Sequence, residues 1–156
     1  LRSTTGHDFS NEEICCLISE LLLPFTTVIT PNREEALRLT GTLTPQAAAE
    51  KFLKLGCKNI LITDAEASEI KIINHLYQED GQTRTFTYDR LPGNFHGSGC
   101  TLTSAISANL ANNIDLPTAI EQAQAFTWNT LKHGLKLGKG QIHPNRFFKQ
   151  SEIKQS

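Results

Sequence analysis

Apolar positions recur along the chain in two periods, and together they predict helices alternating with short strands. Ser10-Asn11-Glu12-Glu13 reads as a capping box, with the Ser10 hydroxyl accepting from the third helical N–H and Glu13 reaching back. Ile14, Leu17, Ile18, Leu21 and Leu22 follow at the spacing of one buried helical face, and Pro24 ends that helix. The β-branched run FTTVIT (25–30) predicts a buried strand, and a brief helix over 33–39 is closed by Gly41. Thr44-Pro45 supplies a cap and a first-turn proline for a second helix that runs to Gly56, and NILIT (59–63) is the next buried strand. Residues 70–77 and 83–88 alternate, and the Asp80-Gly81 between them predicts an antiparallel hairpin. Two long helices close the pattern. One follows His96-Gly97-Ser98-Gly99-Cys100 and ends near Asn112; the other runs from about Pro117 to His133, with Ile120, Ala123, Phe126 and Leu131 as core positions.

Strands alternating with helices predict an α/β fold with a mostly parallel sheet and a hairpin toward one edge. Only FTTVIT and NILIT suit parallel strands, a thin sheet for so many helices. Composition narrows the class. With 15 Lys+Arg against 16 Asp+Glu, no basic excess points to nucleic acid. No apolar run approaches the roughly 20 residues of a membrane helix. Four cysteines (Cys15, Cys16, Cys57 and Cys100) are too few for a disulfide scaffold and lack zinc-site spacing, so a reducing, cytoplasmic setting is expected. The five histidines are scattered and form no metal motif. The chain contains no Met and opens Leu1-Arg2-Ser3, which reads as a processed product or an internal fragment.

Two constellations carry candidate chemistry. In Gly97-Ser98-Gly99-Cys100, the glycines let a ligand approach the backbone closely, and the helix behind them offers free N–H groups to an anion. Cys100 falls in the first turn, where the helix dipole favours negative charge and a thiolate would accept a hydroxyl proton. Short glycine motifs are weak signals, and the same run also suits a plain turn before a helix. Asn32 and Glu35 form N-x-x-E directly after a strand, where α/β sheets place ligands; an amide and a carboxylate there can orient magnesium-bound water. They equally suit ordinary helix capping. His96 is a turn residue beside the first motif, and Lys132, Lys136, Lys139 and Arg146 read as a solvated surface.

TPNREEA (30–36) with Leu39-Thr40-Gly41, followed by HGSGCTLTSAISA (96–108), resembles two signatures of the hydroxymethylpyrimidine/phosphomethylpyrimidine kinases, in the same order and separation. The resemblance implies a ribokinase-like three-layer α/β/α domain, ATP and Mg2+ as cofactors, and phosphorylation of 4-amino-5-hydroxymethyl-2-methylpyrimidine and its monophosphate in thiamine biosynthesis. It assigns Gly97, Ser98, Gly99 and the Cys100 amide to an anion hole, Cys100 to general-base catalysis, and Asn32 and Glu35 to the magnesium and phosphate region through water. A related group of pyridoxal kinases shares the Cys and is the alternative; a non-catalytic kinase-half module is another. Ser98 stands where the family usually has Thr, and Thr63-Asp64-Ala65-Glu66 where it often has Lys-Gly-Gly-His. The resemblance covers residues 1–148 as the C-terminal portion of one domain, leaves the N-terminal part of the fold outside the chain, and makes 149–156 a frayed tail. It implies that the chain alone is inactive, and that it forms a homodimer or is completed by the absent N-terminal part.

Overall fold

The computed structural model describes residues 12–66 and 68–149. They divide into two compact units, parted between Arg90 and Leu91.

The first unit begins with helix α1, Glu12–Leu17, which widens into a π-helical turn over Ile18–Leu22 and tightens to a 3-10 turn over Leu23–Phe25. Ser10 and the Glu13 side chain, the proposed capping box, lie outside the described residues. The stripe expected to be buried is not: Leu17, Leu21 and Leu22 are 48%, 60% and 58% exposed, and only Leu23, at 2%, reaches the core. The change of helical pitch explains part of this, because positions spaced for 3.6 residues per turn no longer share a face where the Leu23 N–H bonds back to Ile18.

FTTVIT is a strand only at its end. Phe25 is 87% exposed, and pairing starts at Ile29. From there the chain runs parallel to β1 (Asn59–Ile62): the Ile29 N–H donates to Asn59, Leu61 to Ile29, Thr63 to Pro31 and Arg33 to Thr63, all at 2.9–3.1 Å. Pro31 has no N–H to give, so one rung is absent. Helices α2 (Arg33–Thr40) and α3 (Pro45–Lys54) follow, the latter capped by Thr44. Ala36, Ala48, Ala49, Phe52, Cys57, Ile60 and Ile62 form the core between these helices and β1.

Strands β2 (Lys71–Gln78) and β3 (Thr83–Asp89) form the expected hairpin, and the sheet order is β1-β2-β3. The α/β class stands, but β1 pairs antiparallel with β2, so among the described residues parallel pairing in this sheet is confined to the segment from Ile29 to Arg33. Loop length dictates this. A parallel return needs a crossover of about a dozen residues or more, and the connection from Ile62 to Lys71 is shorter.

In the second unit, α4 (Ser98–Ala111) packs on α5 (Leu116–Lys132). Ile106, Ile120 and Ala123 are buried, while Phe126 and Leu131 are half-buried. The segment after α5 has no regular structure yet is well tied down. Leu135 pairs with His143, an approach that Gly134 permits because a Cβ there would stand 2.5 Å from Ile142. Phe148 is buried, stacked on His133 and tilted against Phe126. No helix among the described residues is long and apolar enough to cross a membrane.

Candidate functional site

The two motifs fall in different units, Asn32 and Glu35 in the first and Gly97–Cys100 in the second. In the first, Asn32 caps α2. Its Oδ1 accepts the Glu35 N–H at 2.9 Å, and Glu35 Oε2 accepts the Asn32 N–H at 3.0 Å. Both acceptors are therefore spent on a reciprocal capping box, the plainer of the two readings of N-x-x-E. The second carboxylate oxygen of Glu35 and the Asn32 amide nitrogen lie outside that box and can meet another partner. No group of three or more His, Cys, Asp or Glu among the described residues could hold a metal directly. That donor set fits magnesium only through water, which suits an ion that keeps several waters and takes its other ligands from phosphates.

Beside this cap lies an open depression of about 530 Å³ lined by Arg33, Glu34, Asp64, Glu66, Ser68, Glu69 and Arg90. Its floor is the loop that departs from the family pattern. Asp64 has φ +51°, the left-handed conformation a glycine would adopt without strain. Its N–H donates to Asn74 Oδ1 (2.9 Å) and its carboxylate accepts from Arg90 Nη2 (2.7 Å). Arg90 also donates to the Ser68 and Lys71 carbonyls, at 3.0 and 3.2 Å. Glu66 accepts from or pairs with His75 at 2.8 Å, and the other His75 nitrogen meets Thr85 Oγ1 at 3.0 Å. None of these partners was evident from the sequence, since they lie nine or more residues apart. Asp64→Ala should lose the ion pair and keep the strain, costing about 0.5–1 kcal/mol. Asp64→Gly should be milder by about 1 kcal/mol. Urea unfolding of the two variants measures the difference; equal midpoints would mean the backbone is unstrained.

The second unit holds the anion motif. Gly97, at φ +86°, is the residue before α4 and offers no side-chain cap. By contrast, Asn32, Thr44 and Asp115 cap α2, α3 and α5. The Thr101 N–H is the first to bond within the helix, to the Gly97 carbonyl at 3.0 Å. The N–H groups of Ser98, Gly99 and Cys100 precede it, leaving three donors pointing out of the helix end. Nothing lies within 4 Å of where a Cβ on Gly99 would stand, and Cys100 is an exposed free thiol. Together these leave the start of α4 uncapped and open, an arrangement that suits an anion.

Two further thiols have surroundings of their own. Cys57 is buried, and burial pushes its thiol up from the ordinary range. Cys16 donates to Glu20 at 3.3 Å, and that hydrogen bond and charge raise it too. Iodoacetamide should therefore spare Cys57 until the chain unfolds. Glu20→Gln should speed Cys16 labelling severalfold near neutral pH, because the lowered thiol pKa yields more thiolate. An unchanged rate would show that Glu20 does not act on the thiol.

One residue of this site escaped the sequence reading. Arg146, placed there on a solvated surface, is exposed but bonded: its Nε donates to Thr101 Oγ1 at 3.1 Å. Nothing in its local pattern signals a contact 45 residues away. His96 lies edge-on to His143, 5.7 Å between rings, in the loop ahead of α4.

The chain matches the family model described as phosphomethylpyrimidine kinase over residues 1–145. It is 29% identical to the hydroxymethylpyrimidine/phosphomethylpyrimidine kinase of Bacillus subtilis, a match covering 97% of this chain and 58% of that protein. With the protein of the same name from Synechococcus elongatus it shares 31% identity, covering 94% and 58%. Among solved structures, the ADP complex of Bacillus subtilis pyridoxal kinase superposes with a TM-score of 0.80 at 27% identity, covering 88% of this chain and 54% of that one. Staphylococcus aureus pyridoxal kinase with AMP-PCP and pyridoxal gives 0.80 at 28%, with the same coverages. The chain thus spans somewhat over half the length of these relatives. The two motifs sit in the matched range, and the likeness in fold is ribokinase-like; the chain belongs to the phosphomethylpyrimidine kinase family.

Proposed function

We infer that this chain carries the phosphate-handling part of an ATP-dependent kinase of 4-amino-5-hydroxymethyl-2-methylpyrimidine and its monophosphate, acting in the cytoplasm. The observation that carries this is the end of α4: three outward N–H groups, no cap, and empty space in front of Gly99. A transferring phosphoryl group spreads negative charge over its equatorial oxygens, and fixed backbone donors stabilise that charge without reorganising. Gly97, Ser98, Gly99 and the Cys100 amide form the anion hole. Cys100 takes the proton from the substrate hydroxyl as its oxygen attacks the terminal phosphorus, and ADP departs. Asn32 and Glu35 hold the capped start of α2 in place, and the second Glu35 oxygen would orient water on magnesium. Magnesium, when bound, neutralises polyphosphate charge.

Pyridoxal kinase is the second reading, favoured by the superposition on structures of that name. The loop closed by Asp64 and Arg90 favours a third, a binding module without turnover. The exposed side chains of Leu17, Leu21, Leu22 and Phe25 support pairing with a second copy or with the part of the family domain that lies outside the match.

Titrating the isotope-labelled chain with AMP-PCP tests the assignment. The amide signals of Ser98, Gly99 and Cys100 should shift together and saturate. Shifts confined to the depression at Asp64 and Arg90 would move the phosphate site away from α4.

A further inference from the structure

The segment preceding Arg146 doubles back on the loop that leads into α4. The His96 N–H donates to the Ile142 carbonyl (3.0 Å), and the Ile142 N–H to Asn94 (2.8 Å). Asn145 anchors the same segment to α5 through the Thr130 carbonyl at 2.9 Å. An exposed arginine is thereby given a fixed backbone. Its Nε bonds Thr101 Oγ1, and the buried Thr101 hydroxyl donates onward to the Gly97 carbonyl at 2.8 Å. That carbonyl also accepts the Thr101 N–H. Two donors from one residue hold the Gly97 carbonyl along the helix, which turns the N–H of the same peptide plane, that of Ser98, outward. Arg146 Nη2 lies 3.4 Å from where a Cβ on Gly97 would stand, so the guanidinium charge is beside the cradle.

We propose that Arg146 is a positioning residue of the phosphate cradle: through Thr101 it fixes the Gly97–Ser98 peptide, and its charge strengthens anion binding there. The proposal rests on the reading of α4 as the phosphate site. A charge-assisted hydrogen bond to a hydroxyl that is itself donating polarises the whole relay. Lysine keeps the charge but lacks the Nε–H that bonds Thr101 while the guanidinium stands beside the cradle.

The test titrates the isotope-labelled chain with sodium tripolyphosphate, read at the Ser98, Gly99 and Cys100 amides. Arg146→Gln should weaken binding about tenfold, and Arg146→Lys should recover only part of that. Thr101→Val, which keeps the shape and removes the hydroxyl, should also weaken it. The double variant Arg146→Gln/Thr101→Val should lose less than the product of the single losses, because both break one relay. Equal affinity in the wild type and Arg146→Gln overturns the role of Arg146 and leaves the cradle standing. Losses that multiply independently overturn the relay. No response at the three amides in the wild type overturns the cradle itself, and this proposal with it.

Discussion

Gly99→Val should fold normally and lose phosphoryl transfer entirely. Gly99 lies in the first turn of α4 without a positive φ, and nothing stands within 4 Å of its would-be Cβ. The valine Cβ therefore meets no packed neighbour. On the anion-hole reading it would crowd a phosphate held by the Ser98 and Cys100 amides. Loss of a single oxyanion donor costs about 10²–10³ in turnover, and shutting phosphate out should cost at least as much. Thermal unfolding should move little. Activity in a folded Gly99→Val variant would contradict the anion-hole assignment. Gly97 makes a poorer probe, because any side chain at φ +86° is strained and a Cβ there would crowd Arg146.

Cys100→Ala should lower turnover by about 10²-fold or more, the usual worth of a general base. The thiol is exposed and free, so its loss leaves no cavity and stability should hardly change. The backbone N–H remains, and phosphate binding at the three amides should persist. That split, binding kept and turnover lost, separates a proton acceptor from a structural cysteine. Near-normal turnover would remove Cys100 from the mechanism. Both variants are read in the chain joined to the N-terminal portion of the Bacillus subtilis relative, the part of the family domain that the resemblance leaves outside this chain.

Local rules made much of the fold legible. Caps at Asn32 and Thr44 and the glycine at position 41 bound their helices as expected, while the Asp115 cap that starts α5 at Leu116 was not foreseen. Asp80-Gly81 turned the hairpin, with Gly81 at φ +82°. What escaped depends on non-local geometry. The stripe from Ile14 to Leu22 has helical spacing, but the turn at Ile18–Leu22 is π-helical and most of the stripe faces outward. The parallel pairing of FTTVIT begins only at Ile29, and the short connection to Lys71 sends β2 back antiparallel.

For the candidate site, only local features were legible. Glycine chemistry marked the N-terminal end of α4, where Gly97 brings no side-chain cap and Gly99 no side chain. N-x-x-E marked a helix start, and the capping box at Asn32 and Glu35 is what those residues do within the chain. Arg146 and Arg90 could not be read, because each finds its acceptor, on Thr101 and Asp64, across a tertiary contact with no sequence spacing to betray it.

The most direct test of the account is transfer of labelled phosphate from ATP to hydroxymethylpyrimidine, with pyridoxal as second acceptor. It is run on the chain as it stands and on the chain joined to that N-terminal portion. The account predicts transfer to the pyrimidine in the joined protein, abolished by Gly99→Val and strongly reduced by Cys100→Ala. A joined protein that folds, binds AMP-PCP at α4 and still transfers nothing would contradict it, leaving a phosphate-binding module in place of a kinase.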